Sequence, residues 1–234
     1  TGAVFALLGF GVEPLLQKLE ENFATKGAAI VESNKQSASA GYRYIREHFK
    51  GPDALRIPET PMVKKKMLLN GSHAMALGAA CSGLKFYSGY PMSPSTGIME
   101  TVAGMAKEYG IVMEQAEDEI SAVNMAIGAS FAGVRAMTAT SGGGFCLMVE
   151  ALSLAGMTET PIVLVNAQRP GPSTGLPTRT EQSDLSFMIH AAHGEFPRVV
   201  FAPGTAEQAF YLMNKAFNMA DRYQVPVIVL GDQY

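Results

Sequence analysis

Four short segments gather most of the side chains that could do chemistry. Tyr90-Pro-Met-Ser-Pro-Ser-Thr96 brings a tyrosine, two prolines and three small hydroxyls together. Pro91 and Pro94 lack a backbone donor and fix φ, so the segment reads as a rigid turn. It follows the apolar run Leu84-Lys-Phe-Tyr-Ser-Gly89, which sets Ser93, Ser95 and Thr96 at a strand's carboxyl end, where open α/β sheets bind ligands. A Ser/Thr cap on the next helix is the plainer alternative. Glu114-Gln-Ala-Glu-Asp-Glu119 sets four carboxylates close together before a small-residue helix. Acids suit a first helical turn. Crowding and burial would also favour a neutral carboxyl able to exchange a proton with a ring nitrogen.

The third segment, Thr140-Ser-Gly-Gly-Gly-Phe145, runs from a strand into a helix. Its backbone could cradle an anion or admit a flat ring, although tight strand–helix packing alone would explain the glycines. The Lys-Ser/Thr ending of a P-loop is missing, and consecutive glycines do not fit the dinucleotide fingerprint. The fourth, Gln168-Arg-Pro-Gly-Pro-Ser-Thr-Gly-Leu-Pro-Thr178, follows a strongly apolar strand and carries one guanidinium at its root. Arg169 could fork a carboxylate, or be an idle surface arginine. His190 and His193 have no acidic partner at metal-ligand spacing and read as core or interface histidines.

The elements that must position these segments follow from apolar periodicity. Val12, Leu15, Leu16, Leu19 and Phe23 share one face of an amphipathic helix, and Gly27 to Tyr44 is a second, more polar one. Gly51-Pro52, Pro58, Pro61 and the basic run Lys64-Lys-Lys66 mark residues 51–66 as a linker. From Met67 short apolar runs alternate with helical periods. Strands are expected at 84–89, 110–114, 134–140, 161–166, 199–202 and 226–230, with helices at 71–83, 97–109, 119–131, 144–155 and 205–223. On the 119–131 helix Ile120, Val123 and Ile127 share one side. This alternation specifies an α/β fold, a doubly wound parallel sheet behind an N-terminal helical extension. Pro161-Ile-Val-Leu-Val-Asn166 is apolar enough to be buried on both faces.

Composition narrows the classes. The chain has 234 residues, 47% of them apolar and 17% charged, with net charge -3. That balance, with no tryptophan, argues against a nucleic-acid partner. No apolar run reaches the roughly 18 residues that span a bilayer, and no cleavable signal is visible, so neither a membrane nor secretion is expected and the cytoplasm is. Cys81 and Cys146 lie in small-residue surroundings and read as buried thiols in a reducing compartment. Two cysteines cannot by themselves hold an iron–sulfur cluster, and no metal site is expected here. A first residue that is not methionine and an end just after an apolar run suggest that both ends are cuts.

Taken in order, the segments resemble the alpha subunit of the 2-oxoacid:ferredoxin oxidoreductases, which use thiamine diphosphate. The match covers residues 67–234 and rests on Tyr90-Pro-Met-Ser-Pro-Ser-Thr96, Gln115-Ala-Glu-Asp-Glu119, Thr140-Ser-Gly-Gly-Gly144 and Gln168 through Gln182. The resemblance implies a thiamine diphosphate-binding, pyrimidine-domain fold over 67–234. Residues 1–50 look like the tail of the family's gamma domain, fused ahead of alpha in some members. The long arginine loop is more similar to 2-oxoglutarate or broad 2-oxoacid members than to pyruvate-specific ones.

Carried onto this chain, the family's cofactor-activating glutamate falls at Glu119 rather than Glu117, judged by Gly128 and Gly133 of the helix that follows. There it would hydrogen-bond N1′ of the aminopyrimidine and favour the imino tautomer that removes the C2 proton. The resemblance makes Ser93, Arg169 and Thr178 substrate-binding, with Arg169 facing the 2-oxoacid carboxylate. It makes Glu119, Ser93, Ser141 and Gly142 cofactor-binding. Ser93 stands where the family's turn usually has threonine. Gly71-Ser-His-Ala74 stands where Gly-Asn-Glu-Ala is usual. The diphosphate-binding Gly-Asp-Gly motif is absent, and Gly231-Asp-Gln233 does not replace it. The cofactor would therefore be shared with a beta subunit, which is expected to hold Mg²⁺ and the [4Fe-4S] cluster. Ferredoxin, a 2-oxoacid and coenzyme A would be the other partners. The rival readings are a non-oxidative thiamine-dependent decarboxylase or transketolase-like half, and a non-catalytic doubly wound scaffold.

Overall fold

The computed structural model describes the chain except for residues 52–54, 59–66, 173–175, 177 and 233–234. Most of the linker expected over 51–66, including Lys64-Lys-Lys66, lies outside the described residues. Two compact units form, Thr1–Lys66 and Met67–Tyr234.

The first unit is helical: α1 (Gly2–Leu7), α2 (Glu13–Phe23), a 3₁₀ turn (Ala24–Lys26) and α3 (Ala28–His48). α1 lies so close to α3 that a Cβ on Gly2 would fall 1.8 Å from the Ala38 carbonyl oxygen. α2 buries Leu15 and half-buries Leu16, Leu19 and Phe23, the face expected from their spacing.

The second unit runs α4 (Gly71–Cys81), β1 (Phe86–Gly89), α5 (Thr96–Tyr109), β2 (Val112–Gln115), α6 (Glu119–Phe131), β3 (Ala136–Thr140), α7 (Gly142–Phe145), α8 (Val149–Met157), β4 (Ile162–Ala167), α9 (Leu185–His190), β5 (Val199–Phe201), α10 (Ala206–Tyr223) and β6 (Pro226–Gly231). The six strands are all parallel, in the order β2-β1-β3-β4-β6-β5. This is the doubly wound α/β sheet expected from the alternating pattern.

Strand residues alternate between two apolar cores, as the two-residue period requires. Met137, Ala139, Val163, Val165, Val227 and Val229 face α4, α5 and α10. Ala136, Ile162, Leu164, Ile228 and Leu230 face α6, α7, α8 and α9. Both faces are covered, so β3, β4 and β6 are buried throughout. α4 presents small residues to α10, where a Cβ on Gly78 would sit 2.5 Å from the Phe210 carbonyl oxygen. No helix among the described residues is long and apolar enough to cross a membrane.

Several local expectations need correction. The single helix expected at 144–155 is two, broken at Cys146–Met148, and the first begins inside the glycine run. α9 follows a Gly/Pro-rich loop and is too short for its period to stand out. Ile120 is 48% exposed; α6 instead buries Glu119, Ala122, Val123, Ala126, Ile127 and Ser130. Cys81 and Cys146 are exposed rather than buried, because one ends α4 and the other occupies the turn between α7 and α8. His190 and His193 are exposed as well, which removes the core reading. His190 Nδ1 lies 2.8 Å from the Ser186 carbonyl oxygen, and the His193 backbone N–H donates to Ser153 Oγ at 2.8 Å.

Candidate active site at the carboxyl edge of the sheet

β1 is flanked by β2 on one side and β3 on the other, so the chain reverses its winding direction at β1. A crevice opens outside the carboxyl ends of strands at such a switch point. The four chemistry-bearing segments all leave the sheet at this edge. Residues 90–95 follow β1, Ala116–Asp118 follow β2, Ser141 follows β3 and Gln168-Arg169 follows β4. The Ala116 N–H donates to the Gly89 carbonyl at 3.0 Å and ties the first two connections together.

The acidic cluster divides its labour. Glu114 and Glu117 are exposed. Asp118 is the N-cap of α6 and accepts from the Ser121 N–H at 2.7 Å. Glu119 alone turns inward, 4% exposed, and its Oε1 is buried with no hydrogen-bond partner. A buried oxygen without a partner is costly unless something else fills its valence.

The glycine run packs against two carboxylates. A Cβ on Gly144 would lie 2.6 Å from Glu119 Oε1, 2.8 Å from Glu119 Cγ and 2.1 Å from Thr140 Oγ1. A Cβ on Gly142 would lie 2.8 Å from Asp184 Oδ2. Ser141 is fully buried, and its Oγ also lacks a partner. Asp184 was not anticipated from sequence. It is held by Asn166 Nδ2, which donates to Oδ2 at 2.7 Å, and its own N–H donates to Gln168 Oε1 at 3.3 Å. Asn166 Oδ1 remains unpartnered. The signal available was a fully polar amide closing an otherwise apolar strand; nothing marked Asp184, whose partners come from elsewhere in the chain.

The opening turn has a cis Ser93-Pro94 peptide. Ser95 Oγ donates to the Met92 carbonyl at 2.6 Å, and Thr140 Oγ1 donates weakly to Met92 Sδ at 3.9 Å. Arg169 reaches the same turn: its Nη1 donates to the Ser93 carbonyl at 3.0 Å, while its buried Nε has no partner. The Ser93 residue itself is exposed.

Two cavities open at this edge. One of about 300 Å³ is lined by Gly142, Arg169, Pro170, Asp184, Phe187 and Cys146 among others. Partial burial, and secondly the Asp184 charge, hold the Cys146 thiol above the usual cysteine range. The other, of about 270 Å³, includes Asn70, Ser72, Pro94, Gln168, Thr178 and Arg179. Arg169 and Gly142 thus share one cavity, whereas Thr178 lines the other. Glu119, Ser141 and Gly144 cluster at the ends of β2 and β3.

The orphaned Glu119 oxygen suits a planar ring carrying a basic nitrogen, and the missing Cβ of Gly144 leaves room for the Glu119 carboxyl to stand there. Such a ring could accept or donate at Oε1. The residues present therefore fit the pyrimidine end of thiamine diphosphate.

Comparison with known proteins agrees with this geometry. Residues 77–234 match the family model described as pyruvate flavodoxin/ferredoxin oxidoreductase, thiamine diphosphate-binding. The chain is 40% identical over 243 residues to the 2-oxoacid:ferredoxin oxidoreductase subunit alpha of Saccharolobus solfataricus, covering 99% of this chain and 37% of the relative. It is 45% identical over 169 residues to the 2-oxoglutarate synthase subunit KorA of Methanothermobacter thermautotrophicus, covering 72% and 45%. A solved 2-oxoglutarate:ferredoxin oxidoreductase from Magnetococcus marinus, with 2-oxoglutarate, coenzyme A and succinyl-CoA bound, superposes with TM-score 0.87 at 38% identity, covering 98% of this chain and 40% of that one. The chain therefore spans less than half the length of these relatives.

Proposed function

Because the chain belongs to the pyruvate flavodoxin/ferredoxin oxidoreductase family of thiamine diphosphate-binding domains, we propose that it supplies the pyrimidine side of a 2-oxoacid:ferredoxin oxidoreductase active site. The observation that carries this reading is the buried, unpartnered Oε1 of Glu119 beside Gly144. The reaction is the oxidative decarboxylation of a 2-oxoacid such as 2-oxoglutarate to acyl-CoA and CO₂, with two electrons passing to ferredoxin. Relatives named for 2-oxoglutarate support that substrate.

When bound, thiamine diphosphate supplies the nucleophilic carbon and the electron sink for decarboxylation. Glu119 Oε1, buried without a partner, would hydrogen-bond the pyrimidine N1′. Ser141 and Gly142 line the ring's approach to the backbone. Arg169 uses one donor to brace the Ser93 carbonyl, and its remaining guanidinium donors receive the 2-oxoacid carboxylate. Ser93, whose carbonyl Arg169 braces, would be a hydroxyl contact beside that carboxylate, and Thr178 would contact the substrate from the neighbouring cavity.

The diphosphate's Mg²⁺, the [4Fe-4S] cluster and the electron exit to ferredoxin belong to a beta subunit in this reading, and the assembly works in the cytoplasm. Residues 1–50 are the tail of a fused gamma domain. Alignment of the Saccharolobus alpha subunit over 99% of this chain supports this, since the shorter KorA alignment covers only 72%.

The test is ferredoxin reduction by the assembled enzyme with 2-oxoglutarate and coenzyme A. Thiamine-dependent reduction is expected. Decarboxylation without ferredoxin reduction would favour a non-oxidative thiamine enzyme, and no thiamine-dependent turnover would favour a scaffold.

A further inference from the structure

We propose that Gly144 is the positioning residue for Glu119, with Thr140 as the opposite wall. The inference rests on the reading of Glu119 given above. The carboxyl group of Glu119 and the hydroxyl of Thr140 both crowd the point where a Cβ on residue 144 would stand, at 2.6 Å and 2.1 Å. Both distances lie well inside van der Waals contact, so any side chain at 144 must displace one group or both. Glu119 cannot simply swing away: it is 4% exposed and sits on a helix whose buried face includes Ala122 and Val123.

Thr140 is restrained too. It is 1% exposed at the end of β3, and its hydroxyl proton goes to Met92 Sδ in the turn after β1. That turn is pinned in its own right by the Ser95 hydroxyl on the Met92 carbonyl. Sulfur is a weak acceptor, but it takes the only proton Thr140 can donate. The Glu119 oxygen is thereby left unbonded yet tightly walled, which is preorganisation for a single incoming hydrogen-bond partner. Position 144 is set against Glu119, whereas Gly142 is set against Asp184.

The experiment is Gly144→Ala in the assembled enzyme, with three readouts: deuterium exchange at C2 of bound thiamine diphosphate, thiamine diphosphate affinity by calorimetry, and melting temperature. C2 exchange is expected to fall by roughly 100-fold or more, the lower end of what a positioned acid–base group contributes. Affinity should change by less than about tenfold, because the diphosphate end is untouched. Exchange at the wild-type rate would overturn the proposal. So would a loss of exchange that merely tracks loss of bound cofactor. If Gly144→Ala fails to assemble, Gly144→Ala combined with Thr140→Ala frees the Thr140 side and leaves the Glu119 contact; the same readouts then decide. Glu119→Gln, measured in parallel, separates the two levels. If Glu119→Gln retains exchange, the underlying reading fails; if it loses exchange while Gly144→Ala keeps it, only this inference fails.

Discussion

At the amino end of the sheet, Arg135 donates to Asp221, to Asn218 and to the Ser82 carbonyl, and Ser130 donates to the Pro161 carbonyl. Thr158 and Thr160 share a hydrogen bond at 2.8 Å beside them. A hollow of about 470 Å³ lies there, larger than either cavity at the opposite end. At the carboxyl end Glu119, Ser141, Asn166 and Arg169 each keep a buried polar atom without a partner. Among the described residues one further orphan, Thr138 Oγ1, lies in the middle of β3. The amino end has spent its polar groups on holding helices to strands, and the carboxyl end has left its groups open. Cavity size alone favours the amino end, whereas unsatisfied hydrogen-bonding capacity favours the carboxyl end.

The comparison breaks most directly if Glu119→Gln leaves the assembled enzyme active. Turnover is expected to fall by at least about 100-fold, measured as ferredoxin reduction, while the melting temperature holds. Arg169→Ala comes next. Losing a charged hydrogen-bonding group of about 1.5–3 kcal/mol should weaken apparent 2-oxoacid affinity by roughly ten- to a hundredfold. Unchanged affinity would remove Arg169 from the carboxylate role. Arg135→Ala, at the opposite end, sharpens the contrast: it should lower stability by about 1–3 kcal/mol in denaturant titrations while activity per assembled enzyme stays the same.

The smallest effect concerns Cys146. Though the residue is exposed, its thiol is raised first by partial desolvation and secondly by the Asp184 charge, so less thiolate is present at a given pH than in a free cysteine. Asp184→Asn removes the second cause and moves the thiol back down, so alkylation near pH 8 should quicken by a factor of about 2 or 3. An unchanged rate would mean that the Asp184 charge does not act on the thiol.

The strands and the order of the site segments were legible because each leaves a local trace. β4 is a continuous apolar run, and α6 starts and ends where its acidic cap and small-residue face say it should. The turn at Tyr90–Thr96 and the loop at Gln168–Thr178 show themselves through proline and glycine. Other features depend on contacts that no local pattern records. Asp184 takes its importance from Asn166, Gln168 and Gly142, all supplied by other parts of the chain. The glycines lie inside α7, and the break before α8 falls after them at Cys146–Met148, where no residue type marks it. Cys81 and Cys146 sit among small apolar residues in sequence yet at helix ends in space, and small neighbours alone do not tell the two apart. Thr178 was grouped with Arg169, but it faces a different cavity. In the acidic cluster, spacing alone does not choose among the carboxylates, and the family resemblance points to Glu119 rather than Glu117. Burial of one and exposure of the other separates them.

That separation can be measured outright. A crystal structure of the assembled enzyme with thiamine diphosphate bound should place the pyrimidine N1′ within hydrogen-bonding distance of a Glu119 carboxyl oxygen, roughly 2.6–3.2 Å. A ring nitrogen bonded to Glu117 or to solvent, with Glu119 still unpartnered, would contradict the account.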